Sequence, residues 1–314
     1  VIGGLSEILR PTVKVRMRRD SLFFCDVAFL RHSRTPDSHI RIGDFFMDAT
    51  VAMQRAIDIS QFGLGKTKGN PIVGAVIFNE SGIIAEGFHQ SGPHAEVVAI
   101  ESARDAGSDL TGASIAVTLE PCNHQGKTGP CAQAIIDSGI SNVYFAVSDP
   151  NKVATGGAKT LTNAGIQVAS GILQSEAAFA NRAWISSIEK ARPYFTWKIA
   201  TTLDGKSAAV DGSSKWITNE ASRKYVAEFR NQSDAILVGT STVLNDDPNL
   251  VSENKALRIA VGNSAIPENA KIKDHRAPYL HHQSQDFPSL IAELNNRAIV
   301  SVLVEAGAKL GTEL

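Results

Sequence analysis

His94-Ala95-Glu96 and Pro121-Cys122-Asn123-His124-Gln125-Gly126-Lys127-Thr128-Gly129-Pro130-Cys131 are two short runs separated by an amphipathic segment and an apolar one. Together they offer one imidazole and two thiols, a donor set suited to zinc. Three protein ligands leave the fourth tetrahedral position to water, which separates a catalytic zinc site from a closed structural one. Glu96 stands two residues beyond the imidazole, where a carboxylate moves protons rather than binds metal. The pattern points to a hydrolytic zinc deaminase.

The segments around these runs alternate. Ala49, Ala52, Met53, Ala56 and Ile57 recur at helical spacing in a helix that ends near Gly63. Residues 72–78 and 83–88 read as strands joined by a turn at Asn79-Glu80-Ser81-Gly82. A helix opens at His94, with Ala95, Val98, Ala99, Ala103 and Ala106 as its expected buried stripe. Residues 114–119 and 142–147 read as strands, with a helix at 131–138 between them. A helix at 158–164, a short strand near Gln167 and one long helix from Leu173 to Lys190 follow. The sequence therefore predicts an α/β layer fold with His94, Cys122 and Cys131 converging at the carboxyl edge of its sheet. Ligands at helix N-termini also gain from the positive end of the helix dipole, which favours thiolate.

Ala191-Arg192-Pro193 punctuates the chain, and strand signals restart at 194–200, 234–239, 257–261 and 300–305, with helices near 220–230 and 288–295. This is a second α/β unit with no repeat of the first. The expected organisation is an N-terminal extension at 1–46 that is poorly ordered or spurious, a zinc domain at 47–190 and a second domain at 191–314. The extension begins with Val1 rather than Met, clusters Lys14, Arg16, Arg18 and Arg19, and lacks regular hydrophobic periodicity.

Composition narrows the function. Net charge is −1, from 31 basic and 32 acidic residues, which argues against an extended nucleic-acid surface. No apolar run approaches the roughly 20 residues that a membrane helix needs. Three cysteines, Cys25, Cys122 and Cys131, make a disulfide framework an unsuitable reading. A cytoplasmic enzyme is the default. The interval between Cys122 and Cys131 holds eight residues, against the two common in nucleoside and nucleic-acid deaminases. His124 and Lys127 within it suit an anionic substrate such as a phosphate.

These residues resemble the zinc motif of the bifunctional riboflavin-biosynthesis deaminase/reductases. Asn70-Pro71-Ile72-Val73-Gly74-Ala75-Val76, His89 and His94-Ala95-Glu96-Val97 are similar to the same domain upstream. Downstream the likeness continues through Lys198-Ile199-Ala200-Thr201-Thr202-Leu203-Asp204-Gly205-Lys206, Ser214-Lys215-Trp216-Ile217-Thr218 and Asp234-Ala235-Ile236-Leu237-Val238-Gly239. Thr242-Val243-Leu244-Asn245-Asp246-Asp247-Pro248 completes it. The resemblance implies a cytidine-deaminase-like α/β/α domain followed by a dihydrofolate-reductase-like α/β domain, C-terminally incomplete at Leu314. It implies zinc-dependent deamination of 2,5-diamino-6-ribosylamino-4(3H)-pyrimidinone 5′-phosphate, then NADPH-dependent reduction of the ribosyl group to a ribityl chain, in a homo-oligomer.

By the same resemblance His94, Cys122 and Cys131 bind zinc and Glu96 is the proton shuttle. Asn70, His89, His124 and Lys127 hold the deaminase substrate. Ser214, Arg230, Leu250 and Glu305 contact the reductase substrate, and Ala200, Trp216, Thr242, Asp246 and Gly307 contact the nucleotide. Three departures carry expectations. Glu253 stands where the family has an arginine, which predicts weaker phosphate binding unless Lys255 substitutes. Ala306 replaces a glycine and is expected to crowd the nucleotide. The connection from His89 to His94 is short and is expected to shift His89 out of reach. The competing readings are a deaminase acting alone on a nucleoside or tRNA, and a binding module whose zinc is structural, with His124 or His89 as its fourth ligand.

Overall fold

The structure, a computed structural model, describes residues 48–124, 129–151, 155–208, 210, 217–284 and 286–313. The extension at 1–46, and Lys127, Ser214 and Trp216 among the expected site residues, lie outside the described residues.

Helix α1 (Ala49–Ser60) begins at Asp48, whose carboxylate accepts from the Thr50 and Val51 amides at 2.8 Å each. That cap satisfies two of the donors a helix start leaves orphaned. Strands β1 (Gly74–Asn79), β2 (Gly82–Phe88), β3 (Ser114–Leu119), β4 (Asn142–Val147) and β5 (Gln167–Ser170) form a sheet in the order β2-β1-β3-β4-β5. β1 pairs antiparallel with both β2 and β3, so β2 and β3 run the same way and end at one edge. β4 and β5 continue parallel to β3. α1 covers one face; the other is covered by α2 (Ala95–Asp105), α3 (Cys131–Ser138) and α4 (Gly157–Asn163), whose buried residues join a separate apolar layer.

The stripe on α2 differs from the expectation. Ala95, Glu96, Ala99, Ile100 and Ala103 are buried, whereas Val98 is half-buried and Ala106 exposed. The buried face therefore runs through Glu96, Ala99, Ile100 and Ala103, so Glu96 turns inward. Gly87 on β2 sets how closely this helix lies: a Cβ there would stand 2.3 Å from the Ala95 carbonyl oxygen and 2.5 Å from the Ala99 nitrogen. Only a residue without a side chain lets the start of α2 rest on the strand.

The long helix expected from Leu173 to Lys190 is two helices, α5 (Gln174–Ala180) and α6 (Arg182–Lys190). Asn181 breaks them. Its side chain accepts from the Ile72 amide at 3.2 Å and donates to the Ile72 carbonyl at 2.9 Å, so the amide group stands in for a strand partner. A tertiary bond to residue 72 outweighs local helical periodicity.

The second sheet is wholly parallel. Strands β6 (Tyr194–Trp197), β7 (Ala235–Gly239), β8 (Leu257–Val261), β9 (Tyr279–His282) and β10 (Ser301–Val304) run in the order β6-β10-β7-β8-β9. Its other helices are α7 (Glu220–Asn231), α8 (Thr240–Asp246), α9 (Phe287–Asn296) and the short α10 (Ala308–Gly311). β7, β8 and β10 are near-continuous apolar runs because a parallel sheet is covered on both faces, here by two separate buried layers. β9 escaped the sequence because its four residues, Tyr-Leu-His-His, are all half-buried and show no alternation.

Candidate active sites

The common edge of β2 and β3 collects the zinc-type residues. His94 is the N-cap of α2, in extended conformation at φ −73° and ψ 158°. Cys122 lies just past β3, and Cys131 opens α3 behind Pro130. His94 Nδ1 lies 3.2 Å from Cys131 Sγ and 3.5 Å from Cys122 Sγ, and the three ligand atoms fall within 4.8 Å of one another. The Cys131 amide points at Cys122 Sγ at 3.5 Å, which is helix-start N–H stabilisation of a thiolate.

The electrostatics of the pair fit a divalent cation. The hydrogen bond from Cys131 is the main influence that holds the Cys122 thiol down, to about 4, with His94 adding to it. The same contact, together with burial and the nearby Glu96 charge, pushes the Cys131 thiol strongly up. One thiolate forms readily; a second in the same space calls for a positive charge. Zinc, with its preference for imidazole and thiolate donors, supplies that charge.

Glu96 is 3% exposed, and burial pushes its carboxyl up to about 7 against the opposing pull of its own backbone N–H and of His94. A carboxyl poised near neutrality can both take and return a proton. His89 stays with the cluster: its ring lies 5.6 Å from that of His94, edge to face, and its Nδ1 is 3.0 Å from the Pro93 carbonyl. The short connection therefore folds His89 against His94 instead of carrying it away. Burial lowers its pKa, which favours the neutral ring. His124 Nδ1 is buried with no hydrogen-bond partner among the described residues. Asn70 is bonded to the Thr67 carbonyl at 3.1 Å and lines a small cavity with Asn181, Gln232, Asp234 and Ser301, at the seam between the two sheets.

The sequence missed Asp149. It sits in the loop after β4, buried, with its carboxyl pushed up by desolvation and by the charges of Glu120 and Cys122, while its Oδ1 accepts from the Asn151 amide at 2.8 Å. The Glu120 carboxylate beside it accepts from the Gly156 and Ala158 amides, capping the start of α4. The available signal was position: Asp149-Pro150-Asn151 follows β4 at the edge where Cys122 follows β3.

In the second sheet the polar residues also gather at the carboxyl edge, where open parallel sheets bind ligands. Glu305 follows β10 and Lys198 follows β6. Arg230 near the end of α7 grips Glu305 through two bonds of 2.5 and 2.9 Å, and Lys198 Nζ stands 3.7 Å from the same carboxylate. Arg230 is thus half of an ion pair rather than a lone cation. Thr242 is half-buried on α8 and Asp246 exposed at its end; Ala200 is half-buried in the loop after β6. Leu250 is 2% exposed, so its side chain belongs to the core and only its backbone is left for a ligand.

One expectation is corrected. The Ala306 methyl faces the apolar layer with Val302 and Val304, away from the sheet edge, and its carbonyl accepts from Trp197 Nε1 at 2.9 Å. Gly307 has φ −65°, open to any residue, and no described protein atom lies within 4 Å of where a Cβ would stand. Glu253 is exposed and donates its amide to Asn231 Oδ1 at 3.0 Å, which puts it beside the end of α7. Lys255 faces a shallow cavity bounded by residues 273–279.

Comparison with known proteins matches both halves of the chain. The family model of the cytidine and deoxycytidylate deaminase zinc-binding region matches residues 47–147, and that of the RibD C-terminal domain matches residues 193–314. The riboflavin biosynthesis protein RibD of Mycobacterium tuberculosis is 42% identical over 271 residues, covering 82% of this chain and 78% of its own length. A crystal structure from Thermotoga maritima, described as a diaminohydroxyphosphoribosylaminopyrimidine deaminase/5-amino-6-(5-phosphoribosylamino)uracil reductase, superposes with a TM-score of 0.80 at 40% identity. It covers 84% of this chain and 82% of that one. Acinetobacter baumannii RibD superposes with a TM-score of 0.73 at 34% identity, over 83% of this chain and 81% of that one. Among the described residues no helix is long and apolar enough to cross a membrane. The chain belongs to the RibD family of riboflavin biosynthesis, in which a zinc-binding deaminase domain precedes an NADPH-dependent reductase domain.

Proposed function

We propose that residues 47–190 deaminate 2,5-diamino-6-ribosylamino-4(3H)-pyrimidinone 5′-phosphate and that residues 191–314 reduce the ribosyl group of the product. The observation that carries this is the convergence of His94, Cys122 and Cys131 on one point with Glu96 buried beside them. The ligand set numbers three among the described residues, which leaves a coordination position for water. When bound, zinc supplies the Lewis acidity that makes water nucleophilic at neutral pH. The Glu96 carboxylate takes the proton from the attacking water and returns it to the departing amine. His89 and the Nδ1 of His124, which has no partner among the described residues, offer hydrogen bonds to the ring, Lys127 takes the phosphate, and Asn70 holds the substrate. Asp149 joins them as a buried carboxyl next to His124 and Cys122.

In the second domain NADPH supplies the hydride. Glu305 and Arg230 form a preset polar pair at the sheet edge that, with Ser214 and the Leu250 backbone, orients the substrate. Ala200, Trp216, Thr242, Asp246 and Gly307 are the residues assigned to the nucleotide. Several features support placing the boundary at 190/191. α6 ends at Lys190, Ala191 turns left-handed at φ 51°, and the second sheet starts at Tyr194. α7 buries none of its residues and leaves Tyr225 exposed, which favours a homo-oligomer that covers it. Light scattering on the purified protein tests that last point.

The function is tested by assaying both steps on the same purified chain: zinc content, ammonia release from the diamino substrate, and NADPH oxidation with the deaminated product. One zinc per chain and both activities are expected. NADPH oxidation without ammonia release from zinc-loaded protein would sink the deaminase assignment.

A further inference from the structure

β8 reads Leu-Arg-Ile-Ala-Val and is buried at every position, so Arg258 is a charged residue in the middle of a core strand. It is 0% exposed and lies on the same face as Leu250, Ala260 and Ile272. A long apolar residue there would extend the surrounding layer, and an isolated buried ion pair is a poor source of stability compared with apolar packing. The guanidinium is instead spread over backbone that belongs to loops. Nη1 donates to the Asn249 carbonyl at 3.1 Å, the Lys271 carbonyl at 3.3 Å and Asp274 Oδ1 at 2.9 Å. Nη2 donates to the Asp274 carbonyl at 2.5 Å and to the Ala277 carbonyl. Its Nε is buried with no partner among the described residues.

The first of those carbonyls belongs to an improbable turn. Asp247 and Leu250 both adopt left-handed backbone, at φ 43° and φ 49°, with Pro248 and Asn249 between them. Non-glycine residues are uncommon in that region; Asp247 enters it as the C-cap of α8, while Leu250, with its larger side chain, is the less usual occupant. Two tethers hold the turn. Asp247 accepts from the Lys271 amide at 2.9 Å and pairs with its ammonium at 3.2 Å, and Arg258 binds Asn249 and Lys271 together. The turn directly follows Asp246 and carries the Leu250 backbone, and its continuation through Glu253 is bonded to Asn231, next to Arg230.

We propose that Arg258 is a positioning residue of the reductase site, holding the turn from Asp247 to Leu250 in the left-handed form that presents the Leu250 backbone and the Asp246 carboxylate to ligands. This rests on the assignment of that turn to the reductase site made above. Only a planar fork with several donors reaches carbonyls of separate loops at once, so lysine does not substitute.

The test uses the full chain with Arg258→Lys and, as a milder change at the partner, Asp274→Asn. Amide exchange at residues 247–251 of the ligand-free variants should accelerate. The reductase KM for the deaminated pyrimidine phosphate should rise roughly tenfold to a hundredfold, the scale set by a misplacement of about 1 Å. Its kcat should change less than KM, and ammonia release should be unaffected. A merely structural role would lower Tm and the active fraction while leaving the KM of the folded protein unchanged, and that result overturns the proposal. Native protein supplies the control for the assignment beneath it: NADPH with the pyrimidine phosphate should slow exchange at 247–251. No such protection would remove the turn from the site. Protection in the native chain with unchanged exchange and KM in both variants would overturn the role of Arg258 alone.

Discussion

The two sites are assembled in opposite ways. The zinc-type site draws its three ligands and its proton shuttle from His94 to Cys131, on two helix starts and the loop after β3 at one sheet edge. The residues proposed for the reductase site, Arg230, Asp246 and Glu305, come from separate segments spread over the second half of the chain, and the Lys198–Glu305–Arg230 group forms only when the parallel sheet closes. The first is chemistry in local sequence; the second is chemistry produced by topology. A local site is set by a few turns of backbone, whereas a distributed one depends on residues such as Arg258 that touch no ligand.

Metal removal separates the two most sharply. A chelator should abolish ammonia release and leave NADPH oxidation intact, because the described metal-type cluster lies in the first sheet alone. Loss of both activities would show that the reductase domain depends on the zinc domain's integrity. Glu305→Gln tests the distributed site in return. It leaves the Arg230 guanidinium without its carboxylate, which should cost about 2 kcal/mol, below the range for fully buried pairs because Arg230 is partly exposed. Reductase turnover should fall and ammonia release persist; chemical denaturation and the paired assay read the two effects.

The seam offers a comparable effect on both halves. Gly65 has φ 70°, and a Cβ there would stand 2.0 Å from the Asn231 carbonyl oxygen across the seam. Gly65→Ala should cost about 1–3 kcal/mol from overpacking. It should also split one calorimetric transition into two as the halves uncouple. A single unshifted transition would show the contact to be unimportant. The smallest effect belongs to Asp48→Ala, which removes the cap of α1 and should cost about 1 kcal/mol while leaving both activities unchanged.

What was legible in the sequence follows the same division. His94, Glu96, Cys122 and Cys131 were found together because ligand spacing and helix starts are local properties. Alternating strands and helices likewise announced two α/β units. Legibility failed wherever a distant partner decided the outcome. The break at Asn181 depends on Ile72, and the close seating of α2 on β2 depends on Gly87. The direction of the Ala306 methyl depends on the layer behind β10, and Arg230 looks like a free cation until Glu305 is placed against it. Asp149 needed the knowledge that β4 ends beside β3.

The most direct test of a site built from local sequence is Glu96→Gln, assayed for zinc content, ammonia release and NADPH oxidation on one preparation. Removing the proton shuttle should lower ammonia release by about 10²–10⁴-fold. Zinc content should stay at that of the native chain, and NADPH oxidation with the deaminated product should be unaltered. Retained ammonia release, or loss of zinc along with it, would contradict the role given to Glu96.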